Sequence, residues 1–427
     1  MNDQDDKDLG RPGLWLVVAF ALGVTACGGA GAQAIDAATP SGNAGAGGAS
    51  GAAGDDDAPG GRGGAGAAGH EAGAGTDGSA GVEARDAAGL TDAPGAIDAA
   101  APDEAGAGHD PDDACPGALV GWAAVAGDGV TTTTGGGTVT PVRPTSAAEL
   151  LAYAGDATPR VIEIVGTFSL PRLQVASNKT LVGIGTDATL AGGLRIRGTA
   201  DAPVRNVIVR NLRVNGASTT ADGDAAQIYY AHHVWIDHCD IWDGPDGNLD
   251  LTHAVNWVTI SWTKFRYTSA YKAVPGETTA AHRFSSLVGH SDDNAAEDDG
   301  RLKISFHHDW WAEGVLERMP RVRFGQVHVF NNYFSSAGNH YCVRAGRGAH
   351  LLVEGNAFDG VNDPQVFNSP ADEATASITA RDNLYSKTTG MQATGGGGAA
   401  LTSVPYAATI EPAAGAAARV RACAGPR

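Results

Sequence analysis

The chain has 427 residues and a formal charge of −19, and it holds no basic cluster of the kind a nucleic-acid partner requires. The charge is unevenly placed: between residues 28 and 114 fifteen Asp or Glu stand against Arg62 and Arg85, whereas Cys115 to Arg427 carries only −4. The composition therefore does not bar an acidic polymer from the C-terminal part.

In chain order, the first element is the apolar run LWLVVAFALGV, Leu14 to Val24, closed by Thr25, Ala26 and Cys27. It is short for a membrane span and has the layout of a secretory signal. Val24-Thr25-Ala26-Cys27 resembles a bacterial lipobox, which predicts residues 1–27 to be a signal of lipoprotein type with Cys27 as a possible lipid anchor. Ordinary secretion and a short membrane anchor are the alternatives, because Asp3, Asp5, Asp6 and Asp8 make the start acidic where such signals are usually basic. Residues 28–114, almost all Gly, Ala, Asp, Pro and Ser, have nothing to bury and are expected to form a disordered tether. The remaining cysteines, Cys115, Cys239, Cys342 and Cys423, show no CxxC spacing. A bridge between Cys115 and Cys423 would tie the ends of the folded part in an oxidising compartment, and the expected location is secreted or cell-surface.

From Cys115 onward a short pattern recurs, with apolar residues at i and i+2, a polar or small residue at i+4 and an apolar or aromatic one at i+7. It runs through VIVRNLRV from Val207, VWIDHCDI from Val234, VTISWTKF from Val258, ISFHHDWW from Ile304, VHVFNNYF from Val327, Leu351 to Phe358, and ITARDNLY from Ile378. The starts lie 27, 24, 46, 23, 24 and 27 residues apart. Short strands at this period, without amphipathic helices between them, predict an all-β single-domain right-handed parallel β-helix over 115–427. The gap of 46 suggests a further turn at Leu287. The i+4 residues Asn211, His238, Trp262, His308, Asn331, Gly355 and Asp382 are expected where each coil bends. An antiparallel sandwich is the alternative.

Four motifs follow one another along these repeats: VWIDHC at Val234 to Cys239, DGPDGNLD at Asp243 to Asp250, GHSD at Gly289 to Asp292, and RMPRVRFGQVHVFNNYF from Arg318 to Phe334. Together with GVTTTTGGG and SNKTLVGIG nearer the start, they resemble the pectate lyase family of parallel β-helix proteins over about Cys115 to Tyr385. The resemblance implies calcium-dependent cleavage of polygalacturonate, an acidic plant cell-wall polysaccharide, by β-elimination to 4,5-unsaturated oligogalacturonides. It implies Asp222, Asp224, Asp246 and Asp250 as calcium ligands, with Arg318 as the base and Arg323 holding the acidic substrate. Residues one coil apart lie about 4.8 Å from each other, so these carboxylates can converge, and Ca²⁺ accepts about 6 to 8 oxygen ligands. Asp237 and His238 are implied to be structural, and Asp240 and Asp243 read as ordinary solvated loop charges.

One departure stands out. The resemblance implies a substrate-contacting lysine six residues before His290, where this chain has Phe284; Arg283, or Lys272 from the preceding insertion, is the candidate replacement. His307 and His308 are expected on opposite faces of their strand, suited to packing or hydrogen bonding rather than to sharing an ion. The rival readings are a pectin lyase acting on methyl-esterified polymer, a polygalacturonase-type hydrolase, against which GHS rather than GHG stands, and a surface-tethered, non-catalytic pectin-binding protein. A capped solenoid of this kind is expected to be a monomer.

Overall fold

The computed structural model describes residues 115–217, 223–271 and 282–427. The signal and tether expectations for residues 1–114, together with Asp222 and Lys272, fall outside the described residues.

The described chain coils into a right-handed solenoid whose strands form three ladders, with parallel pairing between successive coils. The first ladder realises the repeat read from the sequence residue for residue. Val207 pairs with Val234, Val234 with Val258, Val258 with Ile304, Ile304 with Val327, Val327 with Leu351 and Leu351 with Ile378. Because Val258 and Ile304 are direct partners, the gap of 46 contains no extra coil. Leu287–Val288 instead belongs to the third ladder of that same coil, and the surplus length lies in the connections on either side of it.

All seven i+4 residues have left-handed backbone, with φ between 48° and 65°. Such a residue reverses the pleat and swings the chain from the first ladder into the second. Asn, Asp and Gly adopt it readily, whereas Trp262 and the histidines do so at a cost that packing must offset. Trp262 shows the offset, its ring stacked between His238 and His308 at centroid distances of 5.7 and 4.2 Å. Three residues later the i+7 side chains stack inside the coil. Phe265, Trp311, Phe334, Phe358 and Tyr385 follow one another at ring-centroid distances of 5.6, 4.6, 4.4 and 5.3 Å. Face-to-face stacking follows from the ladder itself, since in-register coils place like side chains one strand spacing apart.

Cys115 and Cys423 form a disulfide with Cα atoms 5.4 Å apart, and Cys239 and Cys342 are buried free thiols. Among the described residues no helix is long and apolar enough to cross a membrane.

The left-handed turns also change the expected placement of the His-His pairs. His233 and His308 have φ of 54° and 55°, which breaks the strand alternation. Each ring meets its predecessor instead of facing away: Nδ1 lies 2.9 Å from Nδ1 in His232/His233 and 3.0 Å in His307/His308. One proton serves each pair, since a second would set two N–H groups against each other. Burial, and then the neighbouring ring, hold His232 down at about 4 and His307 well below the ordinary range, and burial also lowers His233, His308 and His328. Unfolded histidines protonate near 6.5, so between that value and about 4 the unfolded chain binds more protons than the folded one. The histidine contribution is therefore intact above pH 6.5 and is lost as pH falls toward 4. We expect the urea midpoint to drop across this window, and a His232→Asn variant to show a shallower drop.

Candidate active site

The site is built on the outward face of the third ladder. Strand alternation turns Leu249 and Leu251 inward, and Asp250 between them faces out; the ladder register then stacks Arg195, Gln227 and Asp250 on successive coils. Farther along, Leu287, Arg321 and Arg344 stack in the same way. The acids thus occupy one stretch of the face and the arginines the next.

Asp224 precedes the strand Ala226–Tyr229, and its Oδ2 accepts a hydrogen bond from Gln227 Nε2 at 2.9 Å. Gln227 is itself held by Arg172 and Arg195, whose guanidinium groups donate to its Oε1 at 2.7 and 3.0 Å. Asp224 Oδ1 is buried and receives no hydrogen bond among the described residues. Asp250 Oδ1 accepts from the Leu287 N–H at 3.2 Å. Between the two carboxylates lies Gly247. A Cβ there would stand 2.7 Å from Asp224 Oδ1 and 3.2 Å from Asp250 Oδ1, so the absent side chain leaves a small cradle toward which both oxygens point.

Asp246 sits beside this pair but faces His282, whose Nδ1 is 3.5 Å from its Oδ1. Burial, with the Asp246 charge second, raises the Asp224 carboxyl above the usual carboxylate range. Asp250 is raised well above it by burial and then by Asp224. Burial also acts to raise Asp246, but the His282 hydrogen bond and the Arg318 charge outweigh it and hold that carboxyl low. Two raised carboxyls side by side, one with an oxygen lacking a donor, are what an oxygen-ligated cation relieves. Among the described residues no three His, Cys, Asp or Glu side chains close around one point as a complete metal cage. The donor set is an open one of Asp224 and Asp250 around the Gly247 cradle, with Asp246 adjacent.

Arg318 has left-handed backbone, φ 62°, immediately before the Met319-Pro320 turn into the strand Arg321–Val322, and it is 4% exposed. That conformation sends its side chain back toward the acids. Burial lowers its pKa, but Asp250, then Asp246, more than offset this, and the guanidinium is held above its ordinary value. Its guanidinium carbon lies 4.1 Å from the centre of the Phe284 ring, and the centre of the His282 ring lies 4.8 Å from the same point. Phe284 thus sits at the centre of the cluster. Arg283, next to it on an extended segment, stacks instead on Tyr271, 5.5 Å from the ring centre.

Arg323 is placed apart from the acid cluster. Its Nε donates to Asp292 of the GHSD segment at 2.6 Å and its Nη1 to the Gly289 carbonyl at 3.3 Å, with Gly289 and Gly346 leaving room on the adjacent coils. Arg321, on the strand between Arg318 and Arg323, is lowered by burial first and then by the Arg323 charge. Of the residues named from the sequence, the structure gathers Asp224, Asp246, Asp250 and Arg318, and sets Arg323 and Arg283 at the margins. Asp240 and Asp243 are not solvated. Both are buried, Asp240 paired with Arg266 at 2.9 Å and Asp243 accepting from the Thr268 N–H at 2.7 Å. Asp237 accepts from the Ser261 hydroxyl at 2.7 Å and pairs with Arg210 at 3.1 Å, a structural role as expected. Sequence reasoning passed over Gln227, Gly247, His282 and Arg321; Gly247 lies inside the DGPDGNLD motif, but its role depends on what two other coils place beside it.

Comparisons with known proteins give the family. The pectate lyase family profile matches residues 117–424. A probable pectate lyase B from Aspergillus flavus is 36% identical over 248 residues, covering 56% of this chain and 69% of the relative. A pectate trisaccharide-lyase from Thermotoga maritima is 36% identical over 234 residues, covering 52% of this chain and 55% of its own length. Among solved structures, a pectate lyase from Bacillus sp. N165 in complex with trigalacturonate shares the fold with a TM-score of 0.59 at 21% identity, over 72% of this chain and 99% of that one. With the family profile spanning nearly all of the described coils, the chain belongs to the pectate lyase family of polysaccharide lyases.

Proposed function

We propose that this protein is a calcium-dependent pectate lyase that cleaves α-1,4-linked polygalacturonate by β-elimination. The observation that carries the reading is the convergence of Asp224 and Asp250 on the Gly247 cradle beside a buried Arg318. Asp224 and Asp250 would hold Ca²⁺, with Asp246 and Asp222 as further ligands, and the ion would supply positive charge that cancels the carboxylates and acidifies the proton α to a bound uronate carboxyl.

The chain's own residues supply the rest. Asp250 and Asp246 hold the Arg318 proton in place, so Arg318 becomes a base only when their charge is offset. A guanidine nitrogen of Arg318 then takes the C5 proton, the C5–H electron pair becomes the C4=C5 double bond, and the C4–O4 bond breaks, with O4 taking a proton from solvent to leave as the alcohol and Arg318 returning its proton to solvent. No water is consumed. Arg323, once released from Asp292, and Arg283 would grip substrate carboxylates, a task suited to the planar guanidinium fork. The disulfide supports secretion or display at the cell surface, with Cys27 as the lipid anchor in the latter case.

The test is ultraviolet absorbance of unsaturated uronide from polygalacturonate, using the full chain with calcium or with chelator. Absorbance that appears only with calcium is the expected result. Reducing ends without absorbance would replace the lyase with a hydrolase, and retention on the polymer without either would identify a binding protein.

A further inference from the structure

A phenyl ring is an unexpected neighbour for a polyanion. Phe284 is half-buried, and its backbone is pinned: its carbonyl accepts from the Tyr267 hydroxyl at 2.6 Å and from the Asn248 N–H at 3.1 Å, and it bridges to Glu317 on the next coil. These contacts fix the position from which the side chain projects. One contact of the ring is the Arg318 guanidinium at 4.1 Å and another is His282 at 4.8 Å, itself turned to Asp246. The arginines farther along the face have partners of their own, Arg321 with Asn368 at 3.3 Å, Arg323 with Asp292, and Arg344 over the Tyr341 ring at 3.8 Å.

We propose that Phe284 determines specificity, making the position beside Arg318 select a methyl-esterified uronosyl unit over a free uronate. The inference rests on the lyase reading above and narrows its substrate to a partly esterified polymer. A carboxylate seated against the ring would lose hydration that a phenyl surface does not return. A methyl ester loses little hydration and gains apolar contact.

The experiment compares polygalacturonate with partly methyl-esterified pectin, measuring equilibrium binding by calorimetry and unsaturated product in parallel. The full chain is used as wild type, Phe284→Lys and Phe284→Leu. We expect wild type to favour the esterified polymer and Phe284→Lys to shift the preference about tenfold toward polygalacturonate, mainly in KM and in the binding constant. Phe284→Leu, still apolar, should keep the wild-type preference. Wild type binding polygalacturonate more tightly overturns the proposal even if the lysine variant fails to fold, and so does an equal preference in wild type and a folded Phe284→Lys. Loss of the preference in Phe284→Leu also overturns it, since the ring's stacking on Arg318 would then be what matters. A binding preference that shifts as expected while no unsaturated product forms from either polymer supports the selectivity and rejects the lyase.

Discussion

Replacing Arg318 by lysine is expected to lower kcat for elimination by about a thousandfold or more while calcium binding persists. Lysine keeps a positive charge near Asp224, Asp246 and Asp250, so the acids remain offset as they are by Arg318 in the structure. What it loses is the delocalised guanidine proposed above to take the proton, and removing a positioned base costs about 10²- to 10⁴-fold. Arg318→Ala should share the kinetic loss and add a second effect. Without the buried cation the three carboxylates repel each other unopposed, so the calcium-free melting temperature should fall in the alanine variant and stay closer to wild type in the lysine variant. Wild-type turnover in either variant would remove Arg318 from the chemistry. A rate that rises into the alkaline range in wild type would fit a base that its acidic neighbours hold protonated.

Filling the cradle should be nearly as damaging as removing the base. In Gly247→Val the Cβ alone would stand 2.7 Å from Asp224 Oδ1 and 3.2 Å from Asp250 Oδ1, in the space between the two oxygens. We expect calcium affinity measured by calorimetry to fall by about a hundredfold, with activity partly recovered at high calcium, because ligand number and cavity size set the affinity of such sites. Unchanged affinity would place the ion elsewhere. Asp250→Asn should separate function from stability. The Asp250 carboxyl is held well above its usual range, so at neutral pH its ionised form is unfavourable in the calcium-free fold. Removing that charge should therefore raise the calcium-free melting temperature by a few degrees while weakening calcium binding. A site that costs stability until its ligand arrives is common where charges are gathered for function.

The periodic part of this protein is legible in its amino-acid sequence. Two apolar residues at i and i+2, a bend at i+4 and a large apolar residue at i+7 are all local demands. A parallel coil satisfies them by placing Val207, Val234, Val258, Ile304, Val327, Leu351 and Ile378 side by side. The same regularity misleads at the gap of 46, where spacing alone cannot tell an added coil from a long connection. The pairing of Val258 with Ile304 decides it. The rule of alternating faces fails at His307 and His308 for a related reason, since one left-handed residue cancels it.

The site divides along the same line. In the sequence it is the resemblance of the motifs to the pectate lyase family that points to Asp222, Asp224, Asp246, Asp250 and Arg318; residue type alone does not set them apart from the chain's other acids and arginines. Which of them meet, and what each one faces, belongs to the tertiary structure. Asp224 and Asp250 share a cradle because Gly247 has no side chain, Asp246 is drawn to His282, Arg323 is drawn to Asp292, and Phe284 lies against Arg318. The physical reason is that period and propensity act between near neighbours, whereas desolvation and charge at this site are set by coils tens of residues apart brought to within a few ångströms of each other.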